Sequence, residues 1–269
     1  MYFIGFDIGG TNTTLVLGEY EDNLKIISIE KFKSFSNSYI DEINAASDII
    51  DNWLSNYNVK RLGVSIGGPI DNKNGIILEP PHLPGFWHVK LKDILENKFN
   101  VTVNIMHDAL SSTIAEWIWG NGKNAKNMTF MTFGTGFGAG FIINGSPYIN
   151  DKSLEIGYNK ISLRSKINYD YMCSGTGLNN MIKIYGERYA IRRSMQHLGY
   201  LLAFLANTLA LDLAVVGGVF TYKYNEFYPI LYKNFIKFSM NDMRILPSRF
   251  GSDIGVYSSM AAAIYELKK

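Results

Sequence analysis

Cysteine is almost absent. Cys173 is the only one in 269 residues, which excludes an internal disulfide and any cysteine-built metal site within one chain. An excess of one charge is lacking as well: 26 Lys and Arg stand against 24 Asp and Glu, for a formal +2. Nothing in that balance calls for nucleic acid or an anionic membrane as partner. The opening MYFIGFDIGG has no basic n-region and no small-residue cleavage site, so it does not read as an export signal. One hydrophobic run, over 198–220, is long enough to span a bilayer. It carries Asn207, Thr208 and Asp212 and ends on Gly217-Gly218. The reading is therefore a buried helix to about residue 211, then a short strand over 213–216, and a cytoplasmic protein with no membrane partner.

What is present is a globular composition, 47% apolar and 19% charged, at a length that fits one large or two small domains. The pattern predicts strands over 2–7, 13–17 and 25–30, a helix over 41–57 and a strand over 61–66. A helix over 90–99 and a strand over 101–106 then make a βαβ unit. A helix over 109–119 precedes strands over 128–133 and 137–144. Twice the chain runs apolar strand, Gly/Thr turn, apolar strand, once at Gly9-Gly10-Thr11 and once at Gly134-Thr135-Gly136. A repeat at that separation suggests two related α/β domains, expected over 1–108 and 109–255 with a hinge near Asp108. The remainder reads as helices over 177–185, 190–211, 222–238 and 256–267, with a short strand over 244–246; a closing helix over 256–269 completes the first domain.

Two glycines between strands let backbone N–H groups form an anion-binding concavity, and Thr11 adds a hydroxyl. Asp7, at a strand end, suits Mg²⁺ held through water; a plain hairpin turn, with Asp7 bonded to backbone, is the competing reading. The second Gly/Thr turn, with Gly138 and Gly140 beyond, favours a nucleotide held between two phosphate loops. Gly217-Gly218 closes a strand at the sheet edge where ligands lie in open α/β sheets, or it packs a helix. Asp108 stands where a strand ends and a helix begins, which suits either an N-cap or a general base. Glu155 and Asp170 are single carboxylates in short loops, more typical of a surface. His82, His88, His107 and His197 show no metal-ligand spacing; His197 and Cys173 read as structural.

In order along the chain stand Asp7-Ile8-Gly9-Gly10-Thr11, Ser65-Ile66-Gly67-Gly68-Pro69-Ile70-Asp71 and Pro81-His82-Leu83-Pro84-Gly85-Phe86. His107-Asp108-Ala109, Phe133-Gly134-Thr135-Gly136-Phe137-Gly138-Ala139-Gly140, Glu155-Ile156-Gly157 and Val216-Gly217-Gly218-Val219 follow. Together they resemble the ROK family of sugar kinases, within the actin-like ATPase superfamily. The resemblance implies two RNase H-like α/β domains with ATP and Mg²⁺ in an interdomain cleft. It makes Asp108 the catalytic base. Asp7, Gly9, Gly10 and Thr11 become the first phosphate loop, Gly134, Thr135 and Gly136 the second, and Gly217 and Gly218 lie near adenosine. The sugar falls to Gly68, His82, His107, Asp108, Glu155, Tyr158 and Asp170, the last at a position where the family usually has Glu.

The departures from the family pattern bear on specificity and metal content. His107 and His82 stand where the family has sugar-gripping Asn residues. Tyr158 replaces the family's zinc-binding His, and the stretch 160–170 has no cysteine, so a structural zinc is not expected. The resemblance implies an ATP-dependent hexose kinase, with glucose at its 6-hydroxyl the first expectation. N-acetylmannosamine, other amino sugars, fructose and allose stay open, as does a catalytically silent sugar sensor. Repressors of the family carry a helix-turn-helix ahead of the kinase region, whereas this chain starts at the first phosphate strand, so DNA binding is not expected. The family often dimerises, and a homodimer is the expectation by analogy.

Overall fold

A computed structural model of the chain describes residues 1–265. The tail of the helix expected over 256–269 lies outside the described residues. The chain divides into two compact units. The first comprises Met1–Ala115, Ile149–Ser153 and the chain from Asp253 onward; the second comprises Glu116–Tyr148 and Leu154–Ser252.

The first unit is built on β1 (Tyr2–Ile8), β2 (Asn12–Tyr20), β3 (Leu24–Lys33), β4 (Val59–Ile66) and the short hairpin β5 (Ile70–Asp71) with β6 (Ile76–Ile77). With β7 (Val103–His107) the main sheet runs in the order β3-β2-β1-β4-β7. β1 pairs antiparallel with β2 and parallel with β4, and β4 pairs parallel with β7. β1, β2 and β4 are apolar on both faces and bury both, as central strands do; β3 alternates half-buried and exposed residues as an edge strand. Helix α1 (Tyr39–Asn56) is capped by Ser38, whose hydroxyl accepts from the Asp41 N–H at 3.2 Å. Its stripe of Ile43, Ala46, Ile50 and Trp53 is buried. Glu42, on the same helix, is also buried. Its carboxylate accepts from the Thr13 hydroxyl and, at 2.6 Å, from the Phe35 N–H. Helix α2 (Leu91–Phe99) connects β4 to β7 and stops at Asn100, which takes the left-handed conformation.

Helix α3 (Asp108–Trp119) carries the chain into the second unit. There β8 (Met128–Phe133), β9 (Phe137–Ile143), β10 (Ser146–Pro147), β11 (Leu213–Val216) and β12 (Arg244–Pro247) form a sheet ordered β10-β9-β8-β11-β12. The pairing senses repeat those of the first sheet strand for strand: antiparallel β8/β9, parallel β8/β11, parallel β11/β12. The duplication expected from the two Gly/Thr turns is thus a duplication of topology. Asn144 and Gly145, both with positive φ, make the two-residue turn from β9 to β10. The helices here are α4 (Tyr169–Cys173), α5 (Gly175–Tyr185), α6 (Glu187–Leu209), α7 (Val219–Tyr222) and α8 (Tyr224–Phe238). The apolar run over 198–220 is shared among the end of α6, β11 and the start of α7. Among the described residues no helix is long and apolar enough to cross a membrane.

Helix α9 (Ile254–Ile264) belongs to the first unit and packs on β1 and β4. Gly5 and Gly63 face each other across that strand pair. A Cβ on Gly63 would run into the Ala263 backbone, and one on Gly5 into Ser259. Two adjacent strand glycines therefore make a floor flat enough for the small-residue face of Ser258, Ser259, Ala262 and Ala263.

Candidate active site

In the first unit the candidate residues gather where β1, β4 and β7 end. Asp7, near the end of β1, is partly buried. Its carboxylate accepts hydroxyl bonds from Ser65 on β4 and, at 3.5 Å, from Ser258 on α9. Ser65 lies 3.2 Å from the hydroxyls of both Ser111 and Ser258, and Ser111 donates to the Asp108 carbonyl at 3.0 Å. Hydroxyls, not backbone, hold Asp7. Burial, together with the charge of Asp108, pushes the Asp7 carboxyl up to about 6 against its two hydrogen bonds.

The turn after β1 is closed by the Gly9 N–H donating to the Asn12 carbonyl at 3.2 Å. His82 lies across it: a Cβ on Gly10 would stand 2.9 Å from the His82 Cβ. Thr11 is exposed at the tip, its carbonyl accepting from the Ser34 N–H. Gly68 has φ +94 and lies against Pro80, so glycine is required there by conformation and by space. Its neighbour Gly67 faces the Asp108 carboxylate, with a Cβ position only 3.3 Å from Oδ2.

Asp108 is the first residue of α3, following directly on β7. It does not cap the helix in the usual N2 or N3 manner; its Oδ1 accepts from the next residue's N–H, that of Ala109, at 2.6 Å. His107, buried at the end of β7, places Nδ1 3.3 Å from the same Oδ1.

In the second unit Gly134 donates to the Gly136 carbonyl at 3.2 Å and accepts from the Gly175 N–H at 2.7 Å, which seats the turn against the start of α5. Ser174 caps that helix by accepting from the Gly177 N–H. Gly218, with φ +65, backs onto the Phe133 carbonyl and the Gly134 nitrogen, while Gly217 lies against the Phe130 ring. The pair packs tightly, and Gly218 lies beside the Gly134 turn. A Cβ on Gly134 would meet nothing within 4 Å. Thr135 is exposed at the tip.

Asp170, on α4, accepts from the Phe137 N–H at 2.7 Å, which fixes it at the start of β9. Partial burial and the charges of Glu155 and Asp170 push the Tyr158 hydroxyl up, so the three side chains share one locality. Glu155 and Asp170 are half-buried rather than surface residues. Cys173 is buried in the apolar core of this unit, and burial pushes its thiol up; burial also lowers His197. Among the described residues no group of three or more His, Cys, Asp or Glu is arranged to hold a metal ion.

Sequence reasoning did not single out Ser258, Ser111 or Gly175. Ser65 and Gly67 carried a signal, since Gly67 belongs to the glycine pair that closes a strand and Ser65 stands two residues before it; Ser258 had none.

A family model, described as ROK family, matches residues 3–189. The chain belongs to the ROK family. Among ROK relatives, a glucokinase of Halalkalibacterium halodurans is 29% identical over 168 residues, 58% of this chain and 49% of that protein. A xylose repressor of Bacillus spizizenii is 26% identical over 202 residues, 72% of this chain and 50% of that one. The chain spans about half the length of these relatives. The solved ROK family glucokinase from Streptomyces griseus, in complex with glucose and AMPPNP, matches with a TM-score of 0.82 at 19% identity over 98% of this chain and 99% of that one. The fold is accordingly that of this family, with two RNase H-like α/β units.

Proposed function

We propose that the protein is an ATP-dependent sugar kinase that phosphorylates a hexose, glucose at the 6-hydroxyl being the first expectation. The observation that carries this reading is Asp108. One carboxylate oxygen is tied by a main-chain N–H, and the other faces Gly67, a residue with no side chain to cover it. A general base needs that arrangement, with one oxygen held and one reachable.

The remaining residues divide the work. Asp108 takes the proton from the attacking hydroxyl, the hydroxyl oxygen bonds to the γ-phosphorus, and ADP leaves. Gly9, Gly10 and Thr11, with Gly134, Thr135 and Gly136, would hold ATP phosphates through backbone N–H groups and hydroxyls. The open space beside Gly134, where a Cβ would meet nothing within 4 Å, supports this reading. Gly217 and Gly218 would border adenosine. Gly68, His82, His107, Glu155, Tyr158 and Asp170 would orient the sugar. Asp7 suits a cation, as its carboxylate is pressed by the charge of Asp108 and steadied by two hydroxyls. Mg²⁺ held there through water would neutralise phosphate charge.

An ADP-release assay over hexoses and N-acetylhexosamines tests the reading and names the substrate; N-acetylmannosamine, other amino sugars, fructose and allose belong on the panel. Asp108→Asn is expected to lower turnover by about 10²–10⁴-fold with ATP binding retained. Near-normal turnover in that variant removes Asp108 from the role of base. Sugar binding with no turnover of any sugar in the unmodified protein supports a sensor instead, a reading favoured by His82 and His107 at the two Asn positions.

A further inference from the structure

We infer that Glu42 is a positioning residue for the candidate site: through the connector between β3 and α1 it ties the turn at Gly9-Gly10-Thr11 to the loop that carries His82. The inference rests on the kinase reading for its consequence in turnover. The tie itself is geometry within the first unit.

The connector, residues 34–38, belongs to neither a strand nor a helix. Three consecutive residues in it carry three bonds. The Ser34 N–H donates to the Thr11 carbonyl at 3.1 Å, the Phe35 N–H donates to Glu42 Oε2 at 2.6 Å, and the Ser36 carbonyl accepts from the Gly85 N–H at 2.9 Å. His82 stands three residues before Gly85 and lies against Gly10, where a Cβ would be 2.9 Å from the His82 Cβ. The contacts close a ring, from Thr11 to Ser34, from Ser36 to Gly85, and from His82 back to Gly10. Glu42 holds the connector at its middle residue. The fit is close: a Cβ on Gly85 would stand 2.1 Å from the Asn37 carbonyl carbon, so only glycine lets the loop approach.

Stability does not account for this carboxylate. Glu42 is fully buried, and burial pushes its carboxyl up against its two hydrogen bonds. An apolar side chain would fill the space without that desolvation. Asp41, exposed in the same first turn, already supplies a negative charge to the helix N-terminus. What an apolar residue cannot do is hold two donors from different elements. The buried Thr13 hydroxyl, on β2, donates to Glu42 Oε1. It also lies 2.8 Å from the Ser34 hydroxyl. A carboxylate only accepts, so Thr13 donates to Glu42 and accepts from Ser34, and a second thread reaches the same connector.

The test compares Glu42→Leu with Glu42→Gln in the full chain. Leucine removes both acceptors and keeps the bulk. Glutamine can keep the network with one reversal: its carbonyl accepts from the Phe35 N–H, its amide donates to Thr13 Oγ1, and the Thr13 hydroxyl turns to Ser34. Backbone amide exchange reads the tie in the ligand-free protein. Steady-state kinetics with ATP, and with the hexose selected by the ADP-release panel, read its consequence. In Glu42→Leu the Ser34 and Gly85 amides should exchange about tenfold faster, the scale of one lost hydrogen bond. KM for both substrates should rise about 10–100-fold at nearly unchanged kcat, since Asp108 lies outside the ring. Glu42→Gln should restore both readouts.

Unchanged protection of Ser34 and Gly85 in Glu42→Leu overturns the inference, as does a glutamine variant as loose as the leucine one. So does a KM that holds while kcat and the urea midpoint fall together, which would make Glu42 a core residue only. If Glu42→Leu does not fold, Thr13→Val takes one of the two bonds from Glu42 and should speed the same amides by a smaller factor; no change in either then overturns the inference. If the unmodified protein turns over no sugar while Glu42→Leu still releases Ser34 and Gly85, the kinase reading fails and the tie stands.

Discussion

Asp7 is the residue whose folded environment is most at odds with its own charge, and replacing it should make the protein more stable. Its carboxyl is pushed from the ordinary 3.8 to about 6, first by burial and then by the charge of Asp108. Displacement by that amount corresponds to about 3 kcal/mol of discrimination against the carboxylate. Asp7 keeps some exposure, so ~2 kcal/mol is the better expectation after screening. The sign follows from linkage. A group that binds its proton more tightly when folded stabilises the fold fully below about pH 4 and loses that contribution as pH rises toward 6. Asp7→Asn removes the titration while leaving an acceptor for the Ser65 and Ser258 hydroxyls. Urea unfolding of both proteins in metal-free buffer, followed by tryptophan fluorescence, reads the difference directly. The variant should gain little at pH 4 and ~2 kcal/mol at pH 7–8, with most of the change between. A difference that is flat across this range, or a wild type that is the more stable at pH 8, would refute the account. The same substitution should weaken Mg-ATP use, so the residue trades stability for a task.

Four further substitutions separate packing from function. Gly63→Ala drives a methyl group into the Ala263 backbone and should cost about 1–3 kcal/mol, seen as a lower urea midpoint at unchanged slope. Gly134→Ala and Gly218→Ala form a contrast: open space surrounds the first, so its melting temperature should stay close to wild type while ATP affinity, read by calorimetry, falls. The second, at φ +65 against the Phe133 carbonyl, should lose stability before any ligand is added. Glu116→Ala should cost about 3 kcal/mol by urea titration. The buried carboxylate accepts from the Ser248 hydroxyl at 2.6 Å and from the Arg249 and Asn121 N–H groups at 2.8 Å each, and all three donors lose their partner.

What could be read from the sequence follows its periodicities. Strands with alternating or continuous apolar residues, and glycine turns between them, announced both sheets and the duplication of strand order. Asp7, Asp108 and the Gly/Thr turns stand at element ends, where a change of period marks them. Glu42 and Glu116 did not stand out, because a glutamate in an amphipathic helix reads as a solvated face; only the tertiary donors around each make burial tolerable. Ser258 sits 193 residues from the Ser65 hydroxyl it meets, and no local pattern encodes such a distance. Gly5 and Gly63 lie inside strands with no local reason to be glycine. They make sense only once α9 is laid across them. Neither the Ala109 N–H that holds Oδ1 of Asp108 nor the bare Gly67 opposite Oδ2 is visible without coordinates.

Helix α9 also sets an order of assembly during synthesis. It covers β1 and β4, yet it is made some two hundred residues after those strands. The second unit lies in one stretch of chain apart from five residues, Ile149–Ser153, and its sheet can close as soon as β12 has emerged. The first unit begins earlier and finishes later. Until α9 leaves the ribosome, the glycine floor of its sheet has no helix on it, and the apolar residues around that floor face water. A chain cut short by a few dozen residues therefore does not lose only a tail. It leaves the first unit without the helix that covers β1 and β4.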